Sequence, residues 1–287
     1  MTIRVDIARR PMKKLENLRW NPKWVTHLGC VKGCLEYLGI DVSDAWLYGA
    51  TGHAFVINIH EELCPSGPTA WNYLPLLELG KNIGYVVDGV LSHKSAQDFA
   101  EKQRLAWKMV RESIDKGLPC YGWELDIPEF YVVYGYDEDG YYFRHFDNSG
   151  KGPKPWDELG KTGIGELEMH AVRPGEAADD AFTVKRAFEF ALERSKSPPR
   201  PKSPYKAGIA GYDNWISAFE TGKVNGFGNA FNTVVWNECR GFAVQFLKEA
   251  KERLGNELSP LFDEAIEYYG TTAVNLEGFP RSKHQGR

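Results

Sequence analysis

Apolar residues recur at helical spacing from about Val25 to Leu38, through Leu28, Val31 and Leu35, and the run stops at Gly39, where a helix C-cap belongs. Ser43 or Asp44 offers a cap for a second short helix through Trp46 and Leu47. HAFVINI, from His53 to Ile59, is rich in β-formers and predicts a strand. CPSGP (Cys64 to Pro68) predicts a turn, because its prolines and glycine interrupt any regular element. Between Ser95 and Lys116, the spacing of Phe99, Leu105, Ala106, Val110 and Ile114 predicts an amphipathic helix ending at Gly117.

The pattern then changes period. LPCYGWEL reads as a strand, and DIPEFYVVYGYDEDGYYFRHFD as a hairpin whose turn is Asp137 to Gly140. LEMHAVRPG, ending at Gly175, closes this region as a last strand. After Gly175 the chain turns helical, beginning with AADDAFTVKRAFEFALERSK, where Asp179 or Asp180 favours the helix start. SPPRPKSPY (Ser197 to Tyr205) carries four prolines and reads as a linker. Three further helices are expected over about Gly211 to Glu220, Asn229 to Leu254 and Ser259 to Tyr269, before a polar tail. Residues 1–20 lack periodicity and read as a lead-in. Helices followed by an antiparallel meander and then more helices give an α+β class. The expected division is 1–20 lead-in, 21–175 α+β domain and 176–287 helical C-terminal subdomain.

A chain of 287 residues buries a sizeable core, as one large domain or two ordinary ones. With 35 basic against 39 acidic side chains and a net charge of -4, nothing favours nucleic acid or an anionic membrane as partner. No run approaches the roughly 18 apolar residues of a membrane span, and the N-terminus has no apolar signal core. The five cysteines, Cys30, Cys34, Cys64, Cys120 and Cys239, are scattered and odd in number, which fits reduced thiols and a cytoplasmic location.

Two stretches carry a resemblance. VVYGYDEDGYYF resembles the Gly-Tyr-Asp strand of the double-glycine-leader cysteine peptidases. CLEYLGIDVSDAWLYGATGHAF (Cys34 to Phe55) resembles the N-terminal domain of the butirosin-biosynthesis acyltransferases, which also carry a helical C-terminal region. Both belong to the papain-like superfamily, and the likeness spans about residues 20–175. It implies a nucleophilic Cys opening a buried helix, a His opening a strand of the following sheet, and an Asp or Asn on the next strand. Here those positions fall on Thr26, Glu129, and Asp147 or Asn148.

The chemistry of that scaffold needs a thiolate at a helix N-terminus beside an imidazole. Three roles compete for the cysteines of the first helix. Cys30 is a nucleophile if the helix begins near Gly29. Cys30 and Cys34 are otherwise inert core thiols. Alternatively, His27, Cys30 and Cys34 share a helix face that His53 or Cys64 completes as a metal site. No metal and no cofactor is expected. His53, after a glycine-bearing turn, is the candidate general base, with His145 as alternative. Glu129 is a carboxylate base if desolvation raises its pKa, or a holder for a ligand's amine or an Arg. Asp147 is the orienting carboxylate. Trp236 and Arg240, four residues apart on one helix face, are candidate ligand-binding residues beside Thr26. The expected function is a papain-like-fold protein with altered catalytic positions that binds a small molecule or peptide in a cleft. The alternatives are a Cys30-dependent amidase or acyltransferase and a non-catalytic interaction scaffold. Oligomeric state is not legible in the chain.

Overall fold

A computed structural model describes residues 11–196, 202–255 and 258–278. In chain order the first elements are β1 (Lys13–Lys14), α1 (Thr26–Tyr37), α2 (Asp44–Ala50), β2 (Asn58–His60), α3 (Leu74–Gly80) and β3 (Tyr85–His93). Then come α4 (Phe99–Asp115), β4 (Cys120–Trp123), β5 (Phe130–Tyr136), β6 (Gly140–Arg144), β7 (Gly150–Pro155) and β8 (Glu166–Pro174). The remainder is α5 (Asp180–Ser195), β9 (Tyr205–Ala207), α6 (Ile209–Glu220), α7 (Gly226–Leu254) and α8 (Ser259–Glu277). The fold is α+β with a helical C-terminal region. Among the described residues, no helix is long and apolar enough to cross a membrane.

The chain divides into two compact units, Met1–Asp41 with Val86–Pro174, and Val42–Tyr85 with Gly175–Arg287. The later boundary lies within a residue of the expected break after Gly175. The segment Val42–Tyr85, which the sequence suggested was continuous with the meander, groups instead with the C-terminal helices.

In the first unit the sheet runs β3-β8-β4-β5-β6-β7. β5 lies inside it, and FYVVYG is buried throughout, as a strand covered on both faces requires. β4 pairs with β5 as far as Cys120↔Val133, and β1 takes over that edge with Lys14↔Gly135. The expected lead-in is therefore structural from residue 11 onward: Leu15, Leu18 and Trp20 are buried. The outer strand β7, GKGPKP, is exposed and rich in Lys and Pro, which discourages further strand addition. α4 buries Phe99, Ala106, Trp107, Val110 and Ile114, and it starts four residues after the expected Ser95. α1 matches its expected span, and Gly39 takes φ +70, the left-handed conformation that ends a helix without a Cβ penalty.

The second unit is mostly helical. Ser43 caps α2, its hydroxyl accepting from the Trp46 N–H at 2.8 Å. The expected strand over His53–Ile59 is cut short: His53–Phe55 form a 3₁₀ turn after Gly52 (φ +81), and only Asn58–His60 is strand. The physical reason is a side chain. The Arg240 guanidinium donates to the carbonyls of Ala54 (2.7 Å) and Val56 (2.9 Å), groups a strand would have given to a neighbour. Tyr205, placed at the end of the expected proline linker, instead begins β9 and pairs with His60. Residues 197–201 of that linker, the first ten residues and the tail from residue 279 lie outside the described residues. α3 and β3 answer no expected element, and α8 runs to Glu277, beyond the expected Tyr269.

Candidate functional site

The first turn of α1 joins two positions a hundred residues apart in the chain. Thr26 is the opening residue of the helix, and its hydroxyl donates to Glu129 Oε2 at 2.5 Å while accepting the Phe130 N–H at 3.2 Å. Glu129 is presented by a tight β4–β5 connection, closed by Glu124 N–H to the Glu129 carbonyl at 2.8 Å and by Glu129 N–H to the Ile127 carbonyl at 2.7 Å. Glu124 accepts strain there, with φ +56, and its carboxylate is held by the Thr162 hydroxyl at 2.5 Å. Burial pushes the Glu129 carboxyl up to about 7, and the Thr26 hydrogen bond opposes that rise. Among the described residues no cation pairs with it. A carboxyl in this state exchanges its proton near neutrality, at the positively charged end of a helix.

Cys30 lies one turn further along α1 and is fully buried. Burial pushes its thiol well above the ordinary range, with Cys34 and Glu129 adding to the effect. That is the opposite of what a nucleophilic thiol requires. His27 is committed elsewhere: its Nε2 lies 3.1 Å from the Tyr121 hydroxyl, and its ring packs on Phe130 with centroids 5.1 Å apart. Among the described residues no group of three or more His, Cys, Asp or Glu side chains is arranged to hold a metal ion.

Asp147 stands in solvent. Its carboxylate accepts from the Ser149 hydroxyl and N–H at 2.6 and 2.9 Å, and His145 Nδ1 is 3.5 Å away. These contacts hold its pKa below the usual carboxylate value, first through the Ser149 hydroxyl. Its neighbour Asn148 is the residue tied to the segment before α1: it accepts the Trp20 N–H at 2.8 Å and donates to the Trp20 carbonyl at 3.0 Å. The two alternatives for the third position therefore separate, Asp147 outward and Asn148 into the framework.

His53 belongs to the second unit, not to the unit that contains Cys30. Its Nδ1 lies 3.5 Å from the Cys239 sulfur, so the chain does form a Cys–His contact, with a different cysteine. Both groups are buried. Burial, with help from the Arg240 charge, lowers the His53 pKa to about 3, and burial raises that of Cys239. The pair is thus neutral imidazole and neutral thiol. Around it, the Tyr48 hydroxyl donates to Glu238 Oε1 at 2.5 Å, and Trp71 packs edge-on to His53 at 5.6 Å. Trp236 donates its indole N–H to Asn232 Oδ1 at 3.2 Å, and Arg240 is spent on the two backbone carbonyls. Nothing in the sequence pointed to Cys239 as the partner of His53, since 186 residues separate them.

The second unit also carries an apolar cavity of about 360 Å³ lined by Tyr212, Trp215, Ile216, Phe219 and Leu276. Thr272 and Asn275 complete the lining, and among the described residues there the Tyr212 phenol is the one titratable group, so the cavity offers volume without reactive chemistry.

No family model matches the chain, and no curated protein matches it.

Proposed function

We propose that the protein is a papain-like-fold binding protein in which the Thr26–Glu129 pair occupies the place of a thiol–imidazole pair and takes a small molecule or peptide. The observation that carries this is the 2.5 Å hydrogen bond from Thr26 to Glu129 at the N-terminus of α1. It couples the two positions that the resemblance assigns to nucleophile and base. The element order, a buried helix followed by an antiparallel sheet, supports the same assignment. The burial of Cys30 favours binding over thiol catalysis, because a thiol pushed up by desolvation is almost entirely protonated near neutrality. Asn148, pinned to Trp20, supports the framework around the helix start rather than a reacting group.

The test is a thermal-shift comparison of wild type and Glu129→Ala against a panel of amines, alcohols, carboxylates and dipeptides at millimolar concentration. A ligand of this site raises the wild-type midpoint and leaves the variant's unchanged. If every compound that shifts one protein shifts the other equally, the Thr26–Glu129 pair is not the binding site.

A further inference from the structure

We propose that the cavity between α6 and α8 is a binding site for an uncharged, mainly hydrocarbon molecule the size of two fused rings, carrying one hydrogen-bonding group. The site is separate from the Thr26–Glu129 pair, which belongs to the other unit.

Both helices are anchored through residues outside the cavity or at its base. On α6, the Asn214 amide donates to the carbonyls of Ile59 (2.9 Å) and Pro204 (3.1 Å), and the Trp215 indole N–H donates to Asn229 Oδ1 at 2.9 Å. On α8, the Phe262 ring meets Phe188 with centroids 6.1 Å apart, and Tyr269 meets Phe55 at 5.5 Å. Side chains three and four residues apart on packed helices normally interlock, ridge into groove. Here such pairs, Ile216 with Phe219 on α6 and Thr272 with Leu276 on α8, border a cavity of about 360 Å³ instead. The anchors hold the two stripes apart, and a ligand between them supplies the packing that direct contact would have given.

The lining sets the chemistry of that ligand. Trp215 and Leu276 are each 4% exposed and form the base, while Ile216 (58%) and Phe219 (46%) stand at the mouth. Among the described residues of the lining none carries a charge, so an ion entering it would lose hydration without meeting a counter-charge. The Thr272 hydroxyl donates to the Tyr268 carbonyl at 2.9 Å. The Tyr212 phenol and the Asn275 amide are then the groups that meet a ligand hydroxyl or carbonyl. Volume sets the size: an apolar cavity of about 150 Å³ holds a benzene, so this one takes a second ring. Burying that hydrocarbon against Trp215 and Leu276 supplies the affinity, and the one polar contact fixes orientation.

Three probes with one naphthyl body test the charge: 2-naphthylmethanol, 2-naphthoate and 2-naphthylmethylammonium, each titrated by ¹H–¹⁵N NMR into the full chain at neutral pH. The alcohol is expected to bind at least about tenfold more tightly than either ion, with shifts centred on α6, α8 and the Trp215 indole N–H. Benzyl alcohol, one ring smaller, is expected to bind at least about tenfold more weakly than 2-naphthylmethanol. Ile216→Glu, at an exposed position, should weaken the alcohol at least about tenfold, whereas Ile209→Glu, 69% exposed on the same helix but outside the lining, should leave it unchanged. Circular dichroism and the thermal midpoint without ligand check that both variants fold. Equal or tighter binding of an ion overturns the charge assignment, and equal binding of benzyl alcohol overturns the size. Full affinity in Ile216→Glu, equal weakening by Ile209→Glu, or no probe perturbing α6 and α8 overturns the site itself. None of these outcomes bears on the Thr26–Glu129 reading, whose signals lie at the start of α1.

Discussion

The two units each hold a cluster of Cys, His, hydroxyl and carboxyl groups, and they differ in access to water. In the first unit Glu129 keeps part of its surface open, pairs with Thr26 and titrates near 7. In the second unit His53 and Cys239 are sealed by Tyr48, Trp71 and the Arg240 guanidinium, and His53 titrates near 3. The sealed cluster has the more suggestive residue types, a thiol beside an imidazole. The half-open one has the more useful physical state. Burial acts on both through the same cost of holding charge away from water, but only in the first does the cost leave a group poised between its two forms. Residue type names a possible chemistry, and solvation decides whether it is available.

The comparison breaks most sharply on thiol access. Cys30, Cys34, Cys120 and Cys239 are buried, and Cys64 is partly exposed. Iodoacetamide should label Cys64 in the folded protein at least about 1000-fold faster than the other four, which wait for unfolding. Fast labelling of Cys30 would restore a thiol chemistry to the first unit; fast labelling of Cys239 would open the second.

Next in size is Arg240→Leu. It leaves the buried carbonyls of Ala54 and Val56 without donors and should lower stability by about 3 kcal/mol in urea unfolding. A loss under about 1 kcal/mol would mean that the turn at His53 does not depend on this guanidinium.

The two clusters should also give opposite pH dependences. Glu129 has a folded-state pKa raised to about 7, so its contribution to stability is full below its ordinary value of 4.5 and is lost as pH rises through 7. His53 has a folded-state pKa lowered to about 3, so its contribution is full above 6.5 and is lost as pH falls from there through 3. Urea midpoints measured from acid to mild alkali should fall at both ends. Glu129→Gln should flatten the alkaline side, and His53→Gln should flatten the acid side. A variant that leaves its own side unchanged removes that group from the comparison.

The smallest effect is expected at Asp147. Asp147→Asn should leave the thermal midpoint within about 1 °C of wild type and leave ligand binding unchanged, since among the described residues its carboxylate meets Ser149 and His145 at the surface. Any loss of binding would return Asp147 to the site in place of Asn148.

Much of the secondary structure follows from local pattern. The 3.6-residue spacing from Leu28 to Leu35, Gly39 at the end of α1, Ser43 before α2, and the buried run Phe130 to Gly135 are each decided within a few residues, because periodicity and capping are short-range. Counting from Gly39 and Gly135 singled out Thr26 and Glu129 but could not tell that their side chains are hydrogen-bonded. What local pattern misses is set by contacts across the chain. HAFVINI has strand propensity, but Arg240, far along α7, takes its carbonyls and leaves a turn. Lys13 and Lys14 have no strand pattern, yet pair with the end of β5 that β4 leaves open.

The same division runs through the candidate site. The sequence by itself determined which groups are present and which helices and strands carry them. Only the tertiary structure decided that Thr26 touches Glu129, that Cys30 is closed to water, that His53 meets Cys239, and that Asn148 rather than Asp147 is tied to Trp20 ahead of α1. Hydrogen-bond partnership and desolvation depend on which distant segments fold against one another, and no spacing along the chain encodes how much water each group keeps.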